Sequence, residues 1–305
     1  MIESIEVEIK GKKYKMSKGR TLDEISKEFQ SEYKYPIVLA KVDNRLRELS
    51  RPVNHDCKIE FFDLTAREGN STHISGLTYV LLYAIKKLFG DDADIVVQHS
   101  LDKAIYIETT FRLTENRIKN IKETMKNIID ADMPIIKSTV DRGEAIKYFE
   151  SKNDLSKAGV LSYTTNSFVT LYRLGNYYNY FYNPMPSSTG KLKDFDITYV
   201  KEDGFVLQFP TIYQPDKIPT YKHHPHMFEV FQECRDWAKL IGVENSVDLN
   251  RVVSLGRIND LIRIDETLQS NRLLNVAREI NKRRKDIKIV LMAGPSSVSY
   301  THLTL

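Results

Sequence analysis

The chain has 305 residues, 41% of them hydrophobic and 28% charged, with a formal net charge of +4. That length suffices for two or three domains with separate cores, and the mild charge decides nothing about a nucleic-acid partner. The two cysteines, Cys57 and Cys234, stand far apart, and the chain has no C-x-x-C pair, which excludes a structural zinc site built on thiolates. With no leader-like or long apolar run, this usage predicts a cytoplasmic protein with free thiols and no membrane association.

Ile5, Val7 and Ile9 predict a strand, Gly11-Lys12 a turn, and Tyr14 to Met16 its hairpin partner. Thr21 with Glu24 three residues on is a capping-box signature, after which Leu22, Ile25 and Phe29 recur at helical spacing. Strands at 37–42 and 57–62, with a turn at Asp43-Asn44, complete a β-β-α-β-β order. Arg67-Glu68-Gly69-Asn70-Ser71 reads as a linker. Leu77, Val80, Leu81, Ala84, Ile85 and Leu88 then form one continuous helical apolar face. Strands follow at 95–97 and 104–111 around a Ser100-Leu101-Asp102 turn, then a helix over 118–129, a strand over 137–140 and a short helix over 144–149.

The run Tyr177-Tyr178-Asn179-Tyr180-Phe181-Tyr182 is dense in aromatics that either stack bases or pack against a core; alternation along a strand favours packing. His223, His224 and His226 stand at the start of a helix over 225–241; Pro225 divides them and no carboxylate or cysteine stands at ligand spacing, so no metal site is assigned. A helix over 266–285 offers Leu268, Leu273, Leu274, Val276, Ala277 and Ile280 as its buried side. The cations Lys282-Arg283-Arg284-Lys285 complement its dipole or form a nucleic-acid patch, the dipole being preferred. Lys288-Ile289-Val290-Leu291-Met292-Ala293-Gly294-Pro295-Ser296-Ser297 reads as a buried strand breaking into a glycine-led loop, the opening of G-x-x-x-x-G-K-[ST]; Ser299 and Tyr300 stand where its second glycine and lysine belong.

Three resemblances follow. The first 64 residues, with the turn at Ala40-Lys41-Val42-Asp43, resemble the TGS domain at the front of threonyl-tRNA synthetases. The stretches His73-Ile74-Ser75-Gly76-Leu77-Thr78-Tyr79, Tyr172-Arg173-Leu174-Gly175-Asn176 and Pro184-Met185-Pro186-Ser187-Ser188 are similar to the second additional (editing) domain of threonyl- and alanyl-tRNA synthetases. That resemblance implies H-x-x-x-H and C-x-x-x-H pairs, at positions occupied here by Ser75, Tyr79, Phe181 and Met185; none is an imidazole or a thiol, and His73 lies about 200° around the helix. His99, Tyr106, Glu108, Arg173, Tyr178 and Tyr180 are the residues expected near the inherited cleft.

The order of these parts, with Met227-Phe228-Glu229-Val230-Phe231 and Val252-Val253-Ser254-Leu255-Gly256-Arg257-Ile258, resembles bacterial nucleoside kinases of the uridine kinase and phosphoribulokinase family that carry a synthetase-like front end. The implied parent reaction is phosphoryl transfer from ATP to a nucleoside such as uridine, with Mg2+ and ATP as cofactors. Gly294, Pro295, Ser296 and Ser297 match only the start of the phosphate cradle, so no kinase activity and no tight ATP binding are expected of these 305 residues. The competing expectation is a module that binds RNA or a nucleotide without deacylase chemistry.

The expected fold class is α+β: a TGS-like β-grasp domain over 1–64, an editing-like domain over 65–205, a helical connector over 206–286, the first strand of a P-loop α/β domain over 287–297, truncated within the loop, and a non-native tail over 298–305.

Overall fold

The computed structural model describes residues 3–291. The chain divides into two compact units, Met1–Cys234 and Arg235–Leu305. The fold is α+β, with mixed and antiparallel sheets.

The first strands are β1 (Ser4–Ile9) and β2 (Lys12–Ser17), followed by α1 (Leu22–Phe29) and then β3 (Leu39–Val42), β4 (Arg45–Arg47) and β5 (Cys57–Phe62). They build a five-stranded sheet in the order β2-β1-β5-β3-β4, in which only β1 and β5 run parallel. The capping box forms as read: the Glu24 amide donates to Thr21 Oγ1 at 3.2 Å, and the Thr21 amide donates to Glu24 Oε2 at 2.8 Å. Leu22, Ile25 and Phe29 turn inward onto Val7, Ile9, Ile59 and Phe61. The third strand begins two residues later than expected, yet Ile37 and Val38 are buried all the same.

Next come α2 (Arg67–Phe89), β6 (Ile95–Leu101), β7 (Ala104–Thr109), α3 (Glu115–Asp130), β8 (Ile135–Asp141), α4 (Arg142–Ser151) and α5 (Leu155–Ser162). After them lie β9 (Phe168–Leu174), β10 (Tyr177–Asn179), β11 (Asp196–Lys201) and β12 (Gly204–Gln208). Two antiparallel sheets result, β10-β9-β8 and β11-β12-β7-β6. One core joins α2 and α3 to strands of both. The expected linker at 67–71 is instead the first turns of α2. Gly69 permits this, because a Cβ there would lie 1.9 Å from the Asp63 carbonyl oxygen. Residues 206–208, expected in the connector, belong to β12, every residue of which is buried.

The β-grasp sheet is tied to the following domain by carboxylates. Glu48 accepts from Lys137 at 2.9 Å and from the Tyr172 phenol. Asp23 accepts from Ser187 at 3.0 Å and pairs with Lys191 at 2.9 Å.

The last helices are α6 (Pro225–Ile241), α7 (Ser246–Ser254) and α8 (Ile258–Lys282). The start of α6 packs on the four-stranded sheet, Phe231 stacking on His99 at 3.8 Å and Phe228 meeting Tyr106 edge-on at 5.1 Å. The expected buried side of the last helix is not found among the described residues: Leu273, Leu274 and Val276 are more than half exposed. The buried strand expected at the end also differs. Residues 287–291 form no strand, and Ile289 and Leu291 are exposed, since a buried strand needs neighbours to take its hydrogen bonds and none of the described residues pairs with it. No helix among the described residues is long and apolar enough to cross a membrane.

Candidate functional site

The site is built on α2. Its middle is buried on nearly every side, which is broader than the single apolar face expected, because sheets and helices surround it. Gly76 lets the segment 186–192 approach: a Cβ there would stand 2.7 Å from Leu192 Cδ2 and 2.8 Å from Pro186 Cγ. This close approach brings Phe181 and Met185 to the same helix as Ser75 and Tyr79.

Tyr79 has no exposed surface. Its ring meets Phe181 at 5.1 Å and Tyr177 at 5.9 Å, and its hydroxyl lies between the carbonyls of Tyr172, at 2.5 Å, and Tyr177, at 2.9 Å. Burial raises the phenol's pKa far above its ordinary value, so it is a fixed donor and not a base. Met185 is 1% exposed within the same core. Three of the four editing-like positions are therefore packing atoms. His73, the nearest imidazole in sequence, is fully buried; its Nε2 accepts from the Lys193 amide at 2.9 Å, and burial pushes its pKa down to about 4. It stays neutral near pH 7 and is not among the residues lining the cavity described next.

Ser75, one turn before Tyr79, is different. It lines a cavity of about 700 Å3 and accepts a hydrogen bond from Asn183 Nδ2 at 3.2 Å. Arg67, Asn70, Ser71 and Ile74 supply the rest of the helical wall, at the 3–4 residue spacing of one face. The Asp102-Lys103 turn and the loop containing Tyr213 close the other sides. Asp102 accepts from the Lys222 amide at 3.2 Å, and Asn70 Nδ2 donates to the Pro210 carbonyl at 3.0 Å. The walls thus offer hydroxyl, amide, guanidinium, ammonium and, at Asp102, carboxylate groups, with no imidazole or thiol. Such a set can hold a polar ligand, and its one carboxylate, Asp102, already accepts from the Lys222 amide.

The six residues expected near the inherited cleft fall into two groups on different sheets. His99, Tyr106 and Glu108 lie on β6 and β7. The buried Glu108 carboxylate accepts from Gln98 at 2.9 Å and Tyr106 at 3.2 Å and pairs with Lys201 at 3.3 Å. His99 is covered by Phe231, and desolvation lowers its pKa. Arg173 and Tyr178 lie on β9 and β10. Arg173 donates to the Gly175 carbonyl at 3.1 Å, and the Tyr178 amide donates to Tyr148 Oη at 3.1 Å. Tyr180 packs against the α4–α5 cluster. None of the six lines the cavity.

Reading 67–71 as a linker hid Arg67, Asn70 and Ser71. The signal that finds them is the run Arg67, Asn70, Ser71, Ile74, Ser75, which continues the helical period backwards from Ser75. Asn183 lies between the stretches Tyr177–Tyr182 and Pro184–Ser188, and no sequence spacing marks it. Among the described residues no group of three or more His, Cys, Asp or Glu side chains could hold a metal ion. Burial, with Asp43 and Asp56 nearby, pushes the Cys57 thiol up to about 11. Gly294, Pro295, Ser296 and Ser297 lie outside the described residues.

No protein-family model matches the chain. It is 26% identical over 187 residues to the threonine–tRNA ligase of Exiguobacterium sp., covering 60% of this chain and 29% of that protein. To that of Symbiobacterium thermophilum it is 29% identical over 164 residues, 53% of this chain and 25% of that protein. To that of Thermotoga neapolitana it is 27% identical over 168 residues, 54% and 26%. The chain thus spans less than a third of the length of these curated relatives, and the likenesses lend the nucleoside-kinase expectation no support. Over about 60% of its length this chain is distantly similar to the N-terminal, TGS and editing, region of threonine–tRNA ligases.

Proposed function

We propose that this chain is an RNA-binding module, related to the front part of threonine–tRNA ligases, that holds a nucleotide-sized end of its ligand in the α2 cavity and does not deacylate it. The observation that carries this reading is the contrast at the inherited positions. A cavity of about 700 Å3 opens at Ser75, while Tyr79, Phe181 and Met185 close the space where a hydrolytic water would be activated. Arg67 and Lys103 suit a phosphate, and the exposed Tyr213 offers a ring for stacking. The distant likeness to threonine–tRNA ligases makes a tRNA acceptor end the first ligand to try. In a filter-binding titration the chain is expected to bind tRNA with an affinity that falls steeply with salt. With mischarged tRNA it is expected to release no amino acid above the buffer rate. Absence of RNA binding, or enzyme-dependent deacylation, would overturn the reading.

A second reading makes the module the front end of an ATP-dependent nucleoside kinase acting with Mg2+ on uridine or a related nucleoside, in the cytoplasm. It rests on sequence only: the order of the parts, Met227-Phe228-Glu229-Val230-Phe231, Val252-Val253-Ser254-Leu255-Gly256-Arg257-Ile258 and Ile289-Val290-Leu291-Met292-Ala293-Gly294-Pro295-Ser296-Ser297. Sequencing the source DNA across the Ser297 codon tests it: glycine, lysine and serine or threonine at the motif positions support it, and a genuine Val298 to Leu305 followed by a stop removes it.

A further inference from the structure

The β-grasp sheet carries a second cleft, of about 360 Å3, away from the α2 cavity. Its charged lining is Arg45, Arg47, Arg51, His55 and Asp43. Arg45 and Arg47 are two apart on β4, an edge strand, so they project to the same side of the sheet. Arg51 stands on the loop that passes the start of α1. Its carbonyl accepts from the Leu22 amide at 3.0 Å, and the Asp23 amide donates to the Leu49 carbonyl at 2.7 Å. The loop backbone is therefore anchored before any ligand arrives.

None of these three guanidinium groups has an ion pair or a side-chain hydrogen bond among the described residues. Many other cations of this domain are paired: Lys10, Lys13, Lys18, Arg20, Lys27 and Lys58 each hold a carboxylate, whereas Lys12 and Lys15 on β2 have no ion pair among the described residues. The one carboxylate in the cleft, Asp43, is partly engaged, accepting from the Lys58 amide at 2.9 Å and lying 3.5 Å from His55 Nε2. Three like charges gathered around one carboxylate that is already engaged are a cost to the folded chain unless a ligand supplies further counter-charge. Guanidinium groups match phosphate oxygens as two-pronged donors, and the floor formed by Leu22, Val42 and Val53 is apolar enough to take a sugar or base.

We infer that the Arg45–Arg47–Arg51 cleft binds a phosphorylated nucleotide unit, supplied by the phosphodiester backbone of the same RNA that enters the α2 cavity. The choice of an RNA strand rests on the proposed function; the phosphate site does not.

The test uses the full chain and a labelled tRNA acceptor hairpin, read by fluorescence anisotropy over a salt series, alongside calorimetric titration with AMP. The variants are the triple Arg45→Ala, Arg47→Ala, Arg51→Ala and a control, Lys12→Ala with Lys15→Ala, which removes cations from the opposite edge strand β2. Thermal melts check folding, and Arg45→Glu alone, at an exposed position, serves if the triple variant is unstable. The expected result is a loss of about tenfold or more in RNA affinity for the arginine variant, with a salt slope shallower by about two to three, and a change within about twofold for the lysine control. Unchanged RNA affinity in the arginine variant overturns the inference and leaves the proposed function standing. If the wild-type chain binds no RNA but binds AMP in an arginine-dependent way, the phosphate site stands and its RNA source is overturned together with the proposed function. Binding of neither overturns both.

Discussion

Ser75 and Tyr79 are one helical turn apart on α2, yet one faces a cavity of about 700 Å3 and the other has no exposed surface. The difference comes from the chain that crosses the helix. At Tyr79 the aromatic strand and Phe181 close over the ring, and two backbone carbonyls hold its hydroxyl. At Ser75 the neighbours are a loop, a turn and the Asn183 amide, which leave space. One turn of α2 is thus filled with apolar atoms while the turn before it stays concave.

The largest test of that contrast is Tyr79→Ala. Removing a fully buried ring is expected to cost about 3–5 kcal/mol of stability, measured by chemical denaturation, whereas Tyr79→Phe keeps the ring and is expected to cost about 1 kcal/mol. A small effect of Tyr79→Ala would mean that this end is not packed as described.

His73 probes the same helix by pH. Its unfolded pKa near 6.5 exceeds the folded value of about 4, so the unfolded chain binds the extra proton first. Stability from this residue is full above pH 6.5 and is lost as pH falls towards 4, by about 3 kcal/mol over that window. His73→Gln, which keeps an acceptor for the Lys193 amide, is expected to flatten the acid side of the stability curve in denaturation series at pH 4 to 7.

Glu48 tests whether the β-grasp sheet and the next domain act as one unit. Glu48→Ala leaves the hydroxyl of the buried Tyr172 without its acceptor and Lys137 without its partner. A loss of about 1–2 kcal/mol is expected once the exposure of Lys137 is discounted, read as a lowered melting temperature with a single transition. A second transition would show that the sheet unfolds alone. The smallest effect is expected at the open end: Ser75→Ala, which takes the acceptor from Asn183 Nδ2, should cost about 0.5–1 kcal/mol while weakening RNA binding through the loss of a polar contact in the wall. Equal destabilisation by Ser75→Ala and Tyr79→Ala would erase the contrast.

Much of the fold was legible in local chemistry. The Thr21–Glu24 capping box, the turn at Asp43-Asn44 and the helix over 225–241 are short-range signals, settled by hydrogen bonds and dihedral preferences within a few residues. The site was less legible. Tyr79, Phe181 and Met185 could be read as chemically empty from their side chains alone, but the grouping of His99, Tyr106 and Glu108 with Arg173, Tyr178 and Tyr180 failed because sequence order does not say which sheet a strand joins. The terminal run Ile289-Val290-Leu291 read as a buried strand on composition, and the exposure of Ile289 and Leu291 shows that an apolar run is buried only when other strands are present to cover it.

By itself the sequence determined the α+β class and the early β-β-α-β-β order, because these depend on residue identity and periodicity; that no imidazole or thiol stands at the editing-like positions follows from the resemblance that marks those positions. Only the tertiary structure decided that Tyr79 is sealed while Ser75 lines a cavity, that 67–71 is a cavity wall rather than a linker, and that three arginines line one cleft with no ion pair among the described residues. Each of those depends on which distant segments cross a given turn of helix or edge of sheet, and long-range packing sets that where local propensity cannot.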